Sequence, residues 1–187
     1  MKYIQKAAMF GLDARIALAI FGTLSIIGGA ALYNSLEEAK VTAIIAELEE
    51  VGKAYDQYLL DTGLELEIVS DEKYLNTDKL IENVTVPTAG WKGPYLSYSA
   101  FSKNSMKHPI YSKVFIVKAD GCYGCSIIAC AGINPCYVWV GMVGIPLDLM
   151  KKLDKKIDNG DGRTVGNFRY WDDVKFIFYK YRPVLHK

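Results

Sequence analysis

The chain opens with a stretch of apolar positions that follows no amphipathic pattern. From Ile16 to Leu36 no residue is charged, and a helix needs about 20 mostly apolar residues to cross a bilayer. Lys2 and Lys6 precede this stretch, and such a positive flank is expected to stay on the cytoplasmic side. No small-residue cleavage site of the secretory type follows the apolar residues. We therefore predict that the rest of the chain is extracytoplasmic.

Beyond Leu36 the pattern changes to a single apolar stripe. Apolar residues recur there at helical spacing, with glutamate and lysine between them, which indicates an amphipathic helix. Gly63 is a natural left-handed stop just after Thr62. We predict one helix from near Ile4 to Thr62, with residues 9–36 apolar all round and residues 37–62 amphipathic. The stripe consists of Val41, Ile44, Ile45, Leu48, Val51, Tyr55, Tyr58 and Leu59.

Residues 63–187 have the pattern of a small α+β head. Several segments are rich in β-branched and aromatic residues and are therefore predicted to be strands. Together they predict an antiparallel sheet of about four strands, packed on the amphipathic half of the long helix. The predicted strands are the run after Pro94, Ile110 to Ala119, Tyr137 to Val143 and Val174 to Tyr181.

The head is also expected to contain short helices and a loop. Apolar residues on one face predict a helix from Leu147 to Ile157. The polar stretch from Gly63 to Asn76 is expected to be a linking loop. Thr77 or Asp78 is expected to cap a short helix that runs through Asn83.

The charge balance and the motif content narrow the function. Lys and Arg number 22 and Asp and Glu number 21, a net charge of +1, so no basic surplus points to nucleic acid. No Ser-His-Asp order, P-loop, dinucleotide-binding glycine motif or zinc-protease motif is present. His108 and His186 are expected in a loop and in the C-terminal tail. We predict a protein that is not an enzyme and needs no cofactor.

Four cysteines lie close together: Cys122, Cys125, Cys130 and Cys136. Four thiolates could bind zinc or an iron–sulfur cluster, but these spacings do not form the paired Cys-x-x-Cys units of structural zinc sites. A thioredoxin-like dithiol at the first pair would need a βαβ surrounding that the sequence lacks. Disulfides are favoured in an extracytoplasmic head. We predict two, with all three connectivities open.

An acidic, glycine-containing segment follows the predicted Leu147–Ile157 helix. Asp158 and Asp161 could supply the hard oxygen ligands that Ca²⁺ prefers. No glutamate follows at the spacing of an EF-hand, and Asn, Asp and Gly are ordinary turn formers. We interpret the segment as a structural turn and keep Ca²⁺ as the alternative.

The start of the chain resembles a type IV prepilin. The stretch QKAAMFGLDARIALAIFGTLS has the family's basic leader, processing site and apolar helix with one early carboxylate. The resemblance implies a leader of residues 1–8, cleavage between Ala8 and Met9, and an assembly role for Asp13, the fifth mature residue. Gly22 falls where the family usually has glycine. Two features depart from the pattern: Ala8 stands where Gly is usual, and Arg15 adds a charge.

Two segments of the head carry the same resemblance. GWKGPYL is similar to the Trp-Gly-Pro-Tyr turn of pilin-like heads, and GIPLDLMKKLDKKIDNGDGRTVGNFRY is similar to a segment near the C-terminus of many of them. The matching positions in the second are Pro146, Leu147, Asp154, Asp158, Gly160, Asp161, Thr164, Gly166 and Arg169.

The resemblance implies a structural subunit of a type IV pilus or of a type II secretion pseudopilus. Such a subunit is held in the inner membrane and is processed by a prepilin peptidase. It then joins a periplasmic or extracellular helical filament of identical copies. Assembly machinery would be a further partner. The alternative is a monomeric bitopic membrane protein with a ligand-binding, redox or metal-binding head. That alternative shares the anchor and the cysteines but gives no role to Asp13.

Overall fold

A single long helix, α1 (Ile4–Thr62), begins the structure. The computed structural model describes residues 4–71, 73–82, 88–121, 130 and 135–184, with side chains from residue 11 onward. The chain divides into two units, Met1–Thr42 and Ala43–Lys187. Helix α1 ends as the sequence predicts, because Gly63 has a φ of 68° and its N–H donates to Leu59 O at 2.8 Å.

The second unit is an antiparallel sheet with helix on it, so the predicted α+β class is confirmed. In the described residues the sheet has eight strands, more than the four or so that the sequence suggested. The strands are β1 (Ile68–Ser70), β2 (Tyr74–Leu75), β3 (Ser99–Ser102), β4 (Ser105–Lys107), β5 (Lys113–Asp120), β6 (Cys136–Val143), β7 (Phe168–Trp171) and β8 (Phe176–Pro183).

The order of the strands places the long ones in the middle. The path across the sheet is β1-β2-β5-β6-β8-β7, and β4 pairs with both β3 and β5. Strands β5 and β6 pair along their whole length, from Lys113 opposite Val143 to Asp120 opposite Cys136. These central strands are the ones that β-branched and aromatic runs predicted.

The part of α1 in the second unit supplies the other side of the core. Leu48, Val51 and Tyr55 are fully buried, and Ile44 is nearly so. These are the residues of the predicted apolar stripe, and their spacing explains why this stretch folds against a sheet.

Strand β8 meets α1 directly. Tyr181 Oη donates to Asp56 Oδ2 at 2.7 Å, and Arg182 Nε donates to Asp56 Oδ1 at 2.6 Å. Burial together with the Asp56 hydrogen bond raises the pKa of Tyr181 to about 12. A Cβ on Gly52 would lie 2.4 Å from the Tyr181 ring, so only glycine at that position permits this approach.

The smaller elements differ in part from expectation. Helix α2 (Leu147–Asp158) matches the predicted Leu147–Ile157 helix and ends at Asn159, which is left-handed. The predicted loop between Gly63 and Asn76 instead contains β1 and β2. The predicted short helix is a 3₁₀ turn, Thr77–Leu80, whose N-cap is Asn76 without a side-chain hydrogen bond.

Candidate functional site

The apolar part of α1 is exposed along its whole described length. Of residues 11–36 only Gly22 is half-buried and the rest are exposed; Leu18 and Ile26, for example, are 70% and 73% exposed. An 18-residue window of this helix has a mean hydropathy of 2.0, with none of it buried. By length and composition the helix can cross a membrane.

The predicted assembly residues lie on this helix. Asp13 and Arg15 are both exposed, and no ion pair joins them in the part of the chain that the structure describes. Residues two apart point in different directions on a helix, which explains why they do not pair. A Cβ on Gly22 would meet nothing within 4 Å. Ala8 and Met9 belong to α1, and their side chains lie outside the described residues.

One predicted disulfide is present. Cys130 and Cys136 are bonded to each other, and Cys136 begins the central strand β6. Cys122 and Cys125 lie outside the described residues, so the second predicted disulfide stays a prediction. A disulfide removes two of the four thiolates that a zinc or iron–sulfur site would need.

Three aspartates converge at the C-terminal end of α2 and in the turn that follows it. One carboxylate oxygen from each of Asp154, Asp158 and Asp161 lies within 4.8 Å of the other two. Two oxygens that each lie about 2.4 Å from one Ca²⁺ are at most about 4.8 Å apart. The separations of the three carboxylates therefore lie within the range that ligands of one Ca²⁺ can have.

The turn also has a structural role that the sequence allowed. Asp158 Oδ2 accepts hydrogen bonds from the backbone N–H groups of Asn167 at 2.7 Å and Phe168 at 2.6 Å. A Cβ on Gly166 would lie 2.5 Å from Asp158 Oδ2 and 2.6 Å from Asp161 Oδ2. Glycine at this position therefore leaves room for both carboxylates beside the backbone that leads into β7.

Asp154 is the member of this cluster that the predicted site omitted. It is 4% exposed, and its Oδ1 is buried without a hydrogen-bond partner among the described residues. Burial raises the pKa of the Asp154 carboxyl above its ordinary 3.8, and neighbouring Asp161 and Asp158 add to the rise, while the N–H of Gly162 opposes it. The i, i+4 spacing of Asp154 and Asp158 on α2 was the available signal.

Arg169 supplies positive charge near the cluster. It is 6% exposed, and its guanidinium donates to Gly121 O at 2.8 Å. Its charge acts on Asp120 first, and also on Asp158 and Asp161. Three carboxylates against one guanidinium leave a net negative turn when all are ionised.

His108 lies in a loop, as expected, but it is buried. Its Nδ1 accepts from the N–H groups of Ile110 at 2.9 Å and Tyr111 at 2.8 Å. Its Nε2 lies 2.8 Å from Glu47 Oε1, which also accepts a hydrogen bond from Tyr98. The imidazole thus joins the loop to α1, which is a packing role.

Comparisons of the chain with protein-family models, with curated proteins and with solved structures gave no match.

Proposed function

We propose that this chain is the structural subunit of a pilus-like or pseudopilus-like filament, held in the inner membrane by α1 before assembly. The observation that carries the proposal is the contrast within α1. Residues 11–36 expose apolar side chains in every direction, whereas residues 44–55 bury one stripe in the head. A helix that is hydrophobic all round needs surroundings of lipid or of other helices.

A filament satisfies this requirement with copies of the same chain. Subunits that leave the membrane would bundle their apolar helices in the filament core and keep their heads outside. The gain is the burial and packing of helix surface that would otherwise face lipid or water. An interface between two different surfaces of one subunit produces a filament, and not a ring, when its rotation does not close.

Asp13 supports the filament over a simple anchor. A carboxylate near hydrocarbon is costly unless it is paired. In the proposed filament its partner is the α-amine of Met9 in a neighbouring subunit, if cleavage follows Ala8. If the leader is retained, Arg15 of a neighbour takes this place. A monomeric bitopic protein has no use for the carboxylate.

Electron microscopy tests the proposal. Material sheared from cells that express the full chain should contain thin filaments, and peptide mapping should identify this chain in them. Cells without the gene, sheared in the same way, are the control. If the chain stays in the membrane fraction and no filament contains it, the monomeric bitopic protein becomes the better interpretation.

A second candidate function is cation binding by the turn after α2. The specific observation is the buried, unpartnered oxygen of Asp154 beside the carboxylates of Asp158 and Asp161. Ca²⁺ prefers carboxylate oxygens at this spacing. A bound Ca²⁺ would give Asp154 Oδ1 a partner and offset the repulsion among the three carboxylates. Its role would be to stabilise the turn that leads into β7.

A further inference from the structure

Helix α2 presents a lysine face. Lys151, Lys152, Lys155 and Lys156 are all exposed, whereas Leu149, Met150 and Leu153 on the other side are buried. Lys151 and Lys155 are one helical turn apart, so their side chains are neighbours. Asp148 is exposed on the same side, which leaves the lysine face with three net positive charges. No ion pair involves Lys151, Lys155 or Lys156 in the described part of the chain.

A second surface of the head has the opposite charge. An open cavity of about 420 Å³ is lined by Glu65, Glu67, Asp78 and Glu82, with Lys79 and Lys103 as its cations. We call it the acidic cavity. The carboxylate of Glu65 is ion-paired with Lys118 of the same copy, whereas Asp78 Oδ1 is buried and accepts no hydrogen bond from any described residue. A buried acceptor without a donor is costly, so Asp78 favours a ligand that brings N–H groups.

The two surfaces lie at opposite edges of the sheet. Helix α2 packs beside β7, which is the last strand on one side. The acidic cavity takes residues from just before β1 and just after β2, which lie on the other side. Five strand spacings of about 4.8 Å separate β1 from β7, roughly 24 Å in all. A lysine side chain is far shorter, so the lysine face does not reach the acidic cavity of its own copy.

We propose that the lysine face of one copy docks on the acidic cavity of a second copy of this chain. Charge complementarity favours a second copy as the partner. The net charge of the chain is only +1, yet the positive lysine face and the acidic cavity lie at separate places on the head. Each docked copy leaves one of the two surfaces unused, so the contact is heterologous and can add further copies, as a filament requires. The inference rests on the proposed filament, and it names the contact between neighbouring heads.

Charge reversal with a charge swap tests the contact. Lys151→Glu with Lys155→Glu should lower filament yield about tenfold or more, because like charges placed together across an interface are strongly unfavourable. Glu67→Lys with Glu82→Lys should do the same. All four substitutions together should restore the filaments. Lys107→Glu with Lys175→Glu changes the net charge equally at exposed positions outside both surfaces, and it should leave the yield unchanged. Circular dichroism would check that each variant is folded.

Cross-linking separates this contact from the filament itself. A carbodiimide joins lysine amines to carboxylates that touch, and a mixture of ¹⁵N-labelled and unlabelled full-length chains identifies links between copies. Links from Lys151 or Lys155 to Glu67 or Glu82 of another copy are expected. Filaments without these links, and unaffected by the α2 reversal, would overturn the inference and leave the proposed function intact.

Two other outcomes are informative. Links and charge-swap rescue of association without filaments would support the head contact and refute the filament. Loss of binding to anionic phospholipid vesicles in the Lys151→Glu, Lys155→Glu variant, with no links between copies, would assign the lysine face to a membrane surface and overturn the inference.

Discussion

Two stretches of α1 have the same secondary structure and opposite surroundings. In residues 11–36 large apolar side chains are exposed, for example Ile26 at 73%, whereas Leu48 and Val51 further along are at 0%. The second stretch finds its partner in the chain's own sheet, and the first does not. Helix formation and helix burial are therefore separate properties, and the apolar pattern of the sequence predicts burial. An apolar stripe predicts that the helix packs on another part of the same fold. Apolar residues on all sides predict that the helix packs on something outside the fold.

We expect the largest effect on filament formation from a substitution of Asp13, in the exposed stretch of α1. Asp13→Ala should abolish filaments while the amount of subunit in the membrane stays near normal, because in the proposed filament the Asp13 carboxylate would pair neighbouring subunits, and Asp13 is exposed in the described structure. Asp13→Glu is the matched control and should retain filaments. Electron microscopy and membrane immunoblots measure the two quantities. Normal filaments from Asp13→Ala would favour the membrane-anchored monomer.

Replacing one leucine by alanine in each of the two stretches of α1 compares their contributions to the free energy of unfolding of the head. Leu48→Ala should lower the free energy of unfolding of the head by about 2.7–5 kcal/mol, the usual range for a fully buried leucine. Leu32→Ala, at a position 61% exposed, should change it by less than about 0.5 kcal/mol. Urea unfolding of the detergent-solubilised chain, followed by tryptophan fluorescence, measures both. Equal effects would mean that the two stretches are not independent.

The effect of calcium on the stability of the head tests whether the aspartate turn binds a cation. At pH 7, Ca²⁺ at about 100 times its Kd should stabilise the head by about 2.7 kcal/mol. The raised pKa of Asp154 means that, without metal, its contribution to stability is greatest below 3.8 and is lost as the pH rises through the folded-state pKa. Calcium should thus raise the melting temperature at neutral pH and have little effect near pH 3.

Asp154→Asn is the matched variant for this measurement. It should remove the calcium response and raise the stability of the metal-free head at neutral pH, since a buried charge is deleted. An unchanged response to calcium in this variant, or none in the parent chain, would leave the aspartate turn with its structural role alone.

The disulfide should have the smallest effect. Replacing Cys130 and Cys136 together by Ser should lower the free energy of unfolding by about 2 kcal/mol, as expected for a loop closed across a separation of six residues. Filament formation should persist, because the bond lies in the head. Alkylation without reduction, followed by mass spectrometry, should find no modified cysteine in the parent chain. Two modified cysteines at Cys122 and Cys125 would refute the second disulfide.

The sequence predicted the elements whose pattern repeats. These elements are helix α1 with its end at Gly63, helix α2 and the central strands β5, β6 and β8. The helices have periodic apolar residues, and the strands have long runs of β-branched and aromatic residues. The two-residue strand β2 and the three-residue strand β1 are too short for any period, so a polar stretch looked like a loop. They become strands only because Tyr74 pairs with Val117 of β5, a contact that no local pattern encodes.

The aspartate turn was also predicted from the sequence only in part. Asp158 and Asp161 were visible as turn residues, and Asp158 does bind the backbone amides of that turn. Asp154 was visible as a position matching the pilin-like segment, but it was not included among the possible calcium ligands. Its burial depends on how α2 packs beside β7, and the sequence alone does not give the orientation of a helix on a sheet. The opposite placement of the lysine face and the acidic cavity follows from strand order in the same manner.

The close approach of Tyr181 to Gly52 also constrains the order of folding. Asp56 and Arg182 are 126 residues apart in the chain, and β8 lies between β6 and β7 inside the sheet. During synthesis, the helix, β5 and β6 emerge before the strand that completes the sheet. Until then one edge of β6 and the part of α1 around Gly52 and Asp56 stay uncovered. The newly made chain is therefore a natural substrate for chaperones and proteases, and a nonsense mutation before Phe176 should eliminate the protein.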